Sequence, residues 1–298
     1  MKRFVALLFC LIFALSLVAC GNDSITDKIK LPNDDDNNDD TPNINFTLQE
    51  TVIVDNDDCL IKVTGAEYDD IWGFRVKVYL ENRSDDTTYR FSADNATIND
   101  VNTLSIFTAD VAPGKKANEE ITFLDSEFYD NDIGEYTDIQ LTFTVRDSED
   151  YSAEDIVNET VHIYPYGEDK AATYIRESEP SDRIIMDNEY ATVIVTGYDY
   201  DEYTGYRVKL FLVNKTDITL VFDTIDDASV NDYMFSPFFM CNLAAGKCAF
   251  DSIDVSPSTM DDNGITDVEE IEFSLRVCEV EDFLSYKWLA KETVTLNP

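Results

Sequence analysis

The stretch Gly73-Phe74-Arg75-Val76-Lys77-Val78-Tyr79-Leu80-Glu81-Asn82 decides the fold, because the chain holds it twice. It returns 132 residues later as Gly205-Tyr206-Arg207-Val208-Lys209-Leu210-Phe211-Leu212-Val213-Asn214. In both copies an apolar row (Phe74, Val76, Val78, Leu80; Tyr206, Val208, Leu210, Leu212) alternates with a second row. Period-two alternation marks a strand with one face on a core. Working outward, the offset persists. Val63-Thr64-Gly65 matches Val195-Thr196-Gly197, Asn99-Asp100 matches Asn231-Asp232, and Ala112-Pro113-Gly114-Lys115 matches Ala244-Ala245-Gly246-Lys247. Between 59 and 123 about a third of the pairs are identical. The chain therefore reads as two copies of one domain, residues 49–165 and 183–298, joined by a charged linker at 166–182.

Each copy reads as all-β. In the first, strands are expected at Val52–Val54, Leu60–Tyr68, Phe74–Leu80, Thr87–Ser92, Leu104–Val111, Ile121–Leu124, Ile139–Val145 and Thr160–Ile163. Asp-, Asn- and Gly-rich turns separate them. No long amphipathic helix is evident, although 147–158 and 279–291 have room for a short turn of one. Many short strands in a domain of this size predict two tandem antiparallel immunoglobulin-like β-sandwiches.

The N-terminus predicts location. Met1-Lys2-Arg3 precedes an apolar run from Phe4 to Val18, too short for an ordinary span, so residues 1–19 read as a signal peptide. Leu17-Val18-Ala19-Cys20 resembles the bacterial lipobox, which implies lipidation of Cys20 and a cell-envelope location on the extracytoplasmic side. Residues 20–48 include Asn33-Asp34-Asp35-Asp36-Asn37-Asn38-Asp39-Asp40 and carry no apolar period. They read as a disordered acidic tether with a reach of roughly 30 Å.

Composition narrows the function. The chain has 298 residues, 61 acids against 22 bases, and a net charge of -39. Nucleic acid is an unfavourable partner, since phosphate binding needs clustered Lys and Arg. His162 is the single histidine, which leaves at most one Ser-His or Cys-His dyad. No catalytic residues stand out.

The strand-Gly-strand opening, the Glu81-Asn82-Arg83-Ser84 and Val213-Asn214-Lys215-Thr216 turns, and the Pro113-Gly114-Lys115 and Ala245-Gly246-Lys247 turns carry a resemblance. They resemble the tandem immunoglobulin-like domains of bacterial surface lipoproteins of unknown function. The resemblance implies a fold and a location, and no activity.

Candidate sites follow. Cys241 and Cys248 flank a short turn that would set them opposite each other, and export favours a disulfide; the alternative is buried thiols acting as small hydrophobes. Arg75, Lys77 and Tyr79 share one outward row, and Arg207, Lys209 and Phe211 repeat it. That row is either a ligand patch for an acidic or sugar-like partner or a set of cross-strand pairs with neighbouring acids. Acidic clusters recur at Glu67, Asp69 and Asp70, at Asp199, Asp201 and Glu202, at Asp130 and Asp132, and at Asp261-Asp262-Asn263-Gly264. Calcium is the one cofactor they would suit, though none follows EF-hand spacing and Asp and Asn are ordinary turn residues. Asn82-Arg83-Ser84 and Asn214-Lys215-Thr216 fit the N-glycosylation pattern but read as strand-ending turns. Met234–Met240 is expected to be a core strand with a bend at Pro237, or a partner site if exposed. Trp72 and Trp288 are expected to cover the domain ends, the alternative being platforms for a sugar.

The expectation is a non-enzymatic binding or adhesion module, anchored to a membrane through its N-terminal lipid, with an extracellular protein or glycan as partner. The alternatives are a carbohydrate-active enzyme using paired carboxylates and a purely structural spacer.

Overall fold

The computed structural model describes residues 48–69, 73–124, 133, 135–150, 152–224, 228–237, 239–285 and 287–298. The expected signal peptide, Cys20 and the expected tether up to residue 47 lie outside them, as do Asp70, Trp72, Asp130, Asp132, Phe238 and the side chain of Asp69. The first copy supplies β1 (Thr51–Asp55), β2 (Cys59–Asp69), β3 (Gly73–Asn82), β4 (Tyr89–Ile98), β5 (Val101–Asn102), β6 (Leu104–Ile106), β7 (Thr108–Val111), β8 (Lys116–Leu124), β9 (Ile139–Asp147) and β10 (Val157–Ile163). The second supplies β11 (Arg183–Asp187), β12 (Ala191–Asp201), β13 (Gly205–Asn214), β14 (Leu220–Thr224), β15 (Ala228–Val230), β16 (Tyr233–Phe235), β17 (Phe239–Leu243), β18 (Cys248–Val255), helix α1 (Pro257–Asn263), β19 (Ile271–Glu279) and β20 (Ala290–Leu296). The protein is all-β. Among the described residues no helix is long and apolar enough to cross a membrane.

The alternation in β3 sets the layering. Phe74, Val76, Val78 and Leu80 are buried, while Arg75, Lys77, Tyr79 and Glu81 are half-exposed. β3 lies in a sheet ordered β1-β2-β3-β8-β6. β10, β9, β4 and β7 form the facing layer, with β4 between β9 and β7. Ile61, Val63, Val76, Val78 and Leu80 of one layer share a core with Phe91, Ile139, Leu141 and Phe143 of the other. The second copy repeats this with Val193, Val195, Val208 and Leu210 against Phe222, Phe273, Leu275 and Val277. Burying such side chains is worth roughly 1.5–3 kcal/mol each, so each copy has its own hydrophobic core.

Two devices hold the turns. Asn82 and Asn214 are almost fully buried. Asn82 donates to the carbonyls of Thr87 and Val111 and accepts from the Ser84 amide. Asn214 donates to Ile218 and Leu243 and accepts from the Thr216 amide. These side chains pin the turn to both layers, which is the reading of Asn-X-Ser/Thr as a strand-ending turn. Gly205 has φ 90°, and a Cβ there would lie 2.1 Å from the Val255 carbonyl oxygen, so the β12–β13 hairpin needs glycine.

The structure corrects several expectations. The repeat slips by one residue in β14: Phe91 faces Val145, whereas Phe222 faces Val277. The turn before β14 is one residue shorter, and the offset of 132 holds again in β15, where Ala228 matches Ala96. α1 was not expected, although its signals are present: Ser256 accepts from the Thr259 amide, Pro257 opens the helix, and Gly264 closes it at φ 65°. The Asp261-Asp262-Asn263-Gly264 cluster is therefore a helix end rather than an open loop. Met234–Met240 is not one core strand. It divides into the edge strands β16 and β17, with Phe239 buried and Met234 and Met240 exposed.

The two copies are joined by more than covalent connection. β5 pairs with β18 in parallel through Val101 and Cys248, so one sheet runs β10-β9-β4-β5-β18-β13-β12-β11 across both. The segment 171–179, within the expected linker 166–182, is tied down at several points. Tyr174 donates its amide to the Asn99 carbonyl (2.7 Å), and its ring meets Phe250 edge-on. Arg176 lies over the Phe211 ring and makes a two-pronged ion pair with Asp182 at 2.7 Å.

Candidate functional site

The outward row of β3 and β13 resolves into ion pairs. Register places Arg75 opposite Glu67 and Arg207 opposite Asp199. Arg207 grips Asp199 with two bonds of 2.6 and 2.7 Å, and Lys209 reaches the same carboxylate at 2.8 Å. The Arg207 hydrogen bonds hold the Asp199 carboxyl below the ordinary range. Arg75 and Lys77 converge on Glu67 in the same way, and Arg75 also reaches Glu120. The repeated cation pair is thus a cross-strand clasp around one carboxylate, and the acidic clusters supply its other half. Asp201 accepts the amides of Tyr203 and Thr204 and shapes its own turn. Among the described residues no three His, Cys, Asp or Glu side chains converge as metal ligands would.

The third residue of the row differs between copies. Tyr79 stays half-exposed, with Lys62 and Lys116 each 5.9 Å from its ring centre. Phe211 is buried at the junction between copies, tilted against Phe250 at 5.0 Å. It is therefore not part of any surface patch. Trp288 packs under the Arg276 guanidinium at 4.5 Å and covers a buried ion pair.

The disulfide expected between Cys241 and Cys248 does not form; both are free, as are Cys59 and Cys278. The turn between them is a crossing from one layer to the other. Cys241 on β17 faces the second core and hydrogen-bonds Asp251. Cys248 on β18 faces the junction core, with its sulfur 3.6 Å from the Asp100 carbonyl oxygen. Burial pushes the thiols of Cys59, Cys248 and Cys278 up to about 11, 12 and 11. Alkylation of the native protein at pH 8 is expected to leave these three unmodified for hours and to modify them on unfolding, as peptide mass mapping reads directly.

Arg75 and Lys77 line a polar depression of about 580 Å³ with Glu119 and Glu120. A more apolar concave feature lies where the layers of the first copy meet. Leu48, Ile53, Val63 and Ile163 floor a groove of about 560 Å³, with Thr51, His162, Tyr164 and Tyr166 along it. β1 and β10, the edge strands of the two layers, form its walls. His162 is exposed, its Nδ1 lies 2.7 Å from Asp138, and its ring stacks on Tyr164 at 5.8 Å and 17°. The second copy shows why the groove opens. There Arg183 on β11 donates to the Thr295 carbonyl on β20 at 2.6 Å and ties the two edges together. By strand register the counterparts of Arg183 and Thr295 are Thr51 and His162. A short Thr replaces the bridging Arg, and the edges stay apart. An apolar floor with a few polar and aromatic side chains is the usual make-up of a small-ligand site.

The sequence singled out His162 only as a limit on catalysis, and the groove itself depends on a pairing far apart in the chain. No protein-family model matches the chain, and no curated protein matches it.

Proposed function

We propose that the chain is a lipid-anchored, extracytoplasmic binding module of two tandem immunoglobulin-like sandwiches, and that it binds a saccharide in the first-copy groove. The observation that carries this reading is the open groove at Thr51 and His162, where the second copy is bridged. Tyr164 and Tyr166 offer ring faces for the C–H surface of a sugar, and His162, Gln49 and Asp169 offer hydrogen-bond partners for its hydroxyls. Strand order supports the immunoglobulin-like assignment. Three strands run consecutively through one layer and the chain crosses to β4; after β5, a short return to the first layer at β6 and a crossing back at β7, it reaches β8 beside β3 and crosses again to β9 beside β4, a Greek-key-like path. Anchoring at Cys20 rests on the lipobox resemblance.

In this reading the chain holds its ligand without catalysis. His162 is hydrogen-bonded to Asp138 and to no hydroxyl or thiol among the described residues, so it lacks a nucleophile to activate. The test is a glycan array probed with the full chain and with Tyr164→Ala. Binding to a saccharide class, reduced at least about tenfold by Tyr164→Ala with unchanged melting, is the expected result. Binding indifferent to Tyr164, or none at all, would remove the groove from the account.

A further inference from the structure

The junction between the copies has two parts, and each chain carries a second, unused set of both. The donor part is the Asn99-Asp100 turn. Asp100 pairs with Lys247, accepts from Thr173 at 2.7 Å, and offers its carbonyl to the Cys248 amide at 3.1 Å. Burial alone would push the Asp100 carboxyl up, but hydrogen bonds from Lys247 and Thr173 hold it below the ordinary range. The acceptor part is the Ala244-Ala245-Gly246-Lys247 turn.

Both parts recur outside the junction. Asn231 and Asp232 take φ 46° and 68°, against 52° and 71° for Asn99 and Asp100. Left-handed backbone at two successive non-glycine residues is costly, so the second tip keeps a strained shape. The latch is the same: Asn99 donates to the Glu135 carbonyl and Asn231 to the Asp267 carbonyl, each at 2.8 Å. On the acceptor side Gly114 and Gly246 take φ 64° and 68°, and Lys115 and Lys247 each accept from the buried Asn's amide at 2.9 Å. Asp232 and Lys115 are exposed, and neither has an ion-pair partner among the described residues.

The apolar surface has moved between the two sets. Inside the chain it belongs to the acceptor, where Phe211, Phe250 and Cys248 are covered by Tyr174, Arg176 and Val101. The first copy has Tyr79, Asn118 and Lys116 at those positions. The second tip instead carries Tyr233 and Met234, 47% and 68% exposed, where the first has Val101 and Asn102.

We infer that a second copy of this chain docks end to end: Asp232, Tyr233 and Met234 of one copy seat on the Lys115 turn of the next, in the relation Asp100 has to Lys247. Donor and acceptor are different surfaces at different copies of the repeat, so the contact is heterologous and extends into chains rather than stopping at a dimer. The contact is small and the net charge repels, so association is weak and needs high concentration or a shared surface.

The test is sedimentation velocity of the full chain at physiological salt from about 10 μM to about 1 mM, a range suited to weak interfaces. The expected result is an average mass that rises with concentration and does not level off at two copies. Asp232→Lys alone and Lys115→Asp alone each weaken association at least about tenfold. Asp232 sits at φ 68°, where Lys is strained, so Asp232→Asn, which suits that backbone and removes only the charge, weakens association as well with melting unchanged. Mixing the two single variants restores it, since each tip then meets an opposite acceptor, and the variant carrying both changes also associates. A monomer throughout, a mass that stops at the dimer, or association indifferent to these charges overturns the inference.

Discussion

Asp223→Ala is expected to destabilise the second copy by about 3–5 kcal/mol, lowering its melting temperature by roughly 6–20 °C. Asp223 is fully buried on β14 and receives the Arg276 Nε at 2.7 Å, with a second bond from Nη2 to the same oxygen. Arg276 is itself 5% exposed and packed against the Trp288 ring. Removing the carboxylate leaves a buried guanidinium, and the cost arises from that desolvated charge more than from the lost pair. The first copy shows what the site tolerates. By register its counterparts are Ser92 and Thr144, a small polar pair. Asp223→Ser with Arg276→Thr should therefore recover most of the loss. A single variant that melts like the parent would mean that the pair is not buried as described.

Asp251→Asn is expected to act in the other direction, and only at neutral pH. Asp251 points inward from β18 opposite Leu210, and burial raises its carboxyl to about 6. Nearby Asp254 adds to the rise, while the Ser252 amide and the Cys241 thiol hold it back. The folded protein thus binds this proton more tightly than the unfolded chain. Its contribution is fully favourable below the unfolded value of 3.8 and is lost as pH rises through about 6. The shift corresponds to roughly 3 kcal/mol of strain at pH 7. Asn keeps the acceptor oxygen without the charge. Melting at pH 7 should rise by roughly 6–12 °C, and the difference should vanish near pH 4. Equal stabilisation at both pH values would contradict a titrating Asp251.

The strands were legible wherever one face meets a core. β3, β9 and β13 alternate because their buried rows are local, and their ends coincide with the Asn82, Asp147 and Asn214 turns. What the alternation could not tell was which outward row would be covered. Tyr79 and Phe211 occupy the same register and share the same Arg and Lys neighbours, yet one borders solvent and the other lies under Arg176. That difference comes from residues about 35 positions before Phe211, beyond any periodic signal. The cysteines illustrate the same limit. A short spacing suggested a bridge, but the turn between them changes layers, so their side chains enter different cores. α1 is marked by Ser256, Pro257 and Gly264, but the Asp261-Asp262-Asn263 run at its end has the composition of an ordinary turn. The groove could not be read from one copy, because it is defined by an Arg in the other.

A single substitution tests the binding account through that difference. Thr51→Arg places the bridging residue of the second copy at the mouth of the first, and Arg183→Thr removes the original bridge. Affinity for the best saccharide of the array should fall at least about tenfold in Thr51→Arg and stay at the parent value in Arg183→Thr. Parent-like affinity in a folded Thr51→Arg chain would contradict the groove as the binding site.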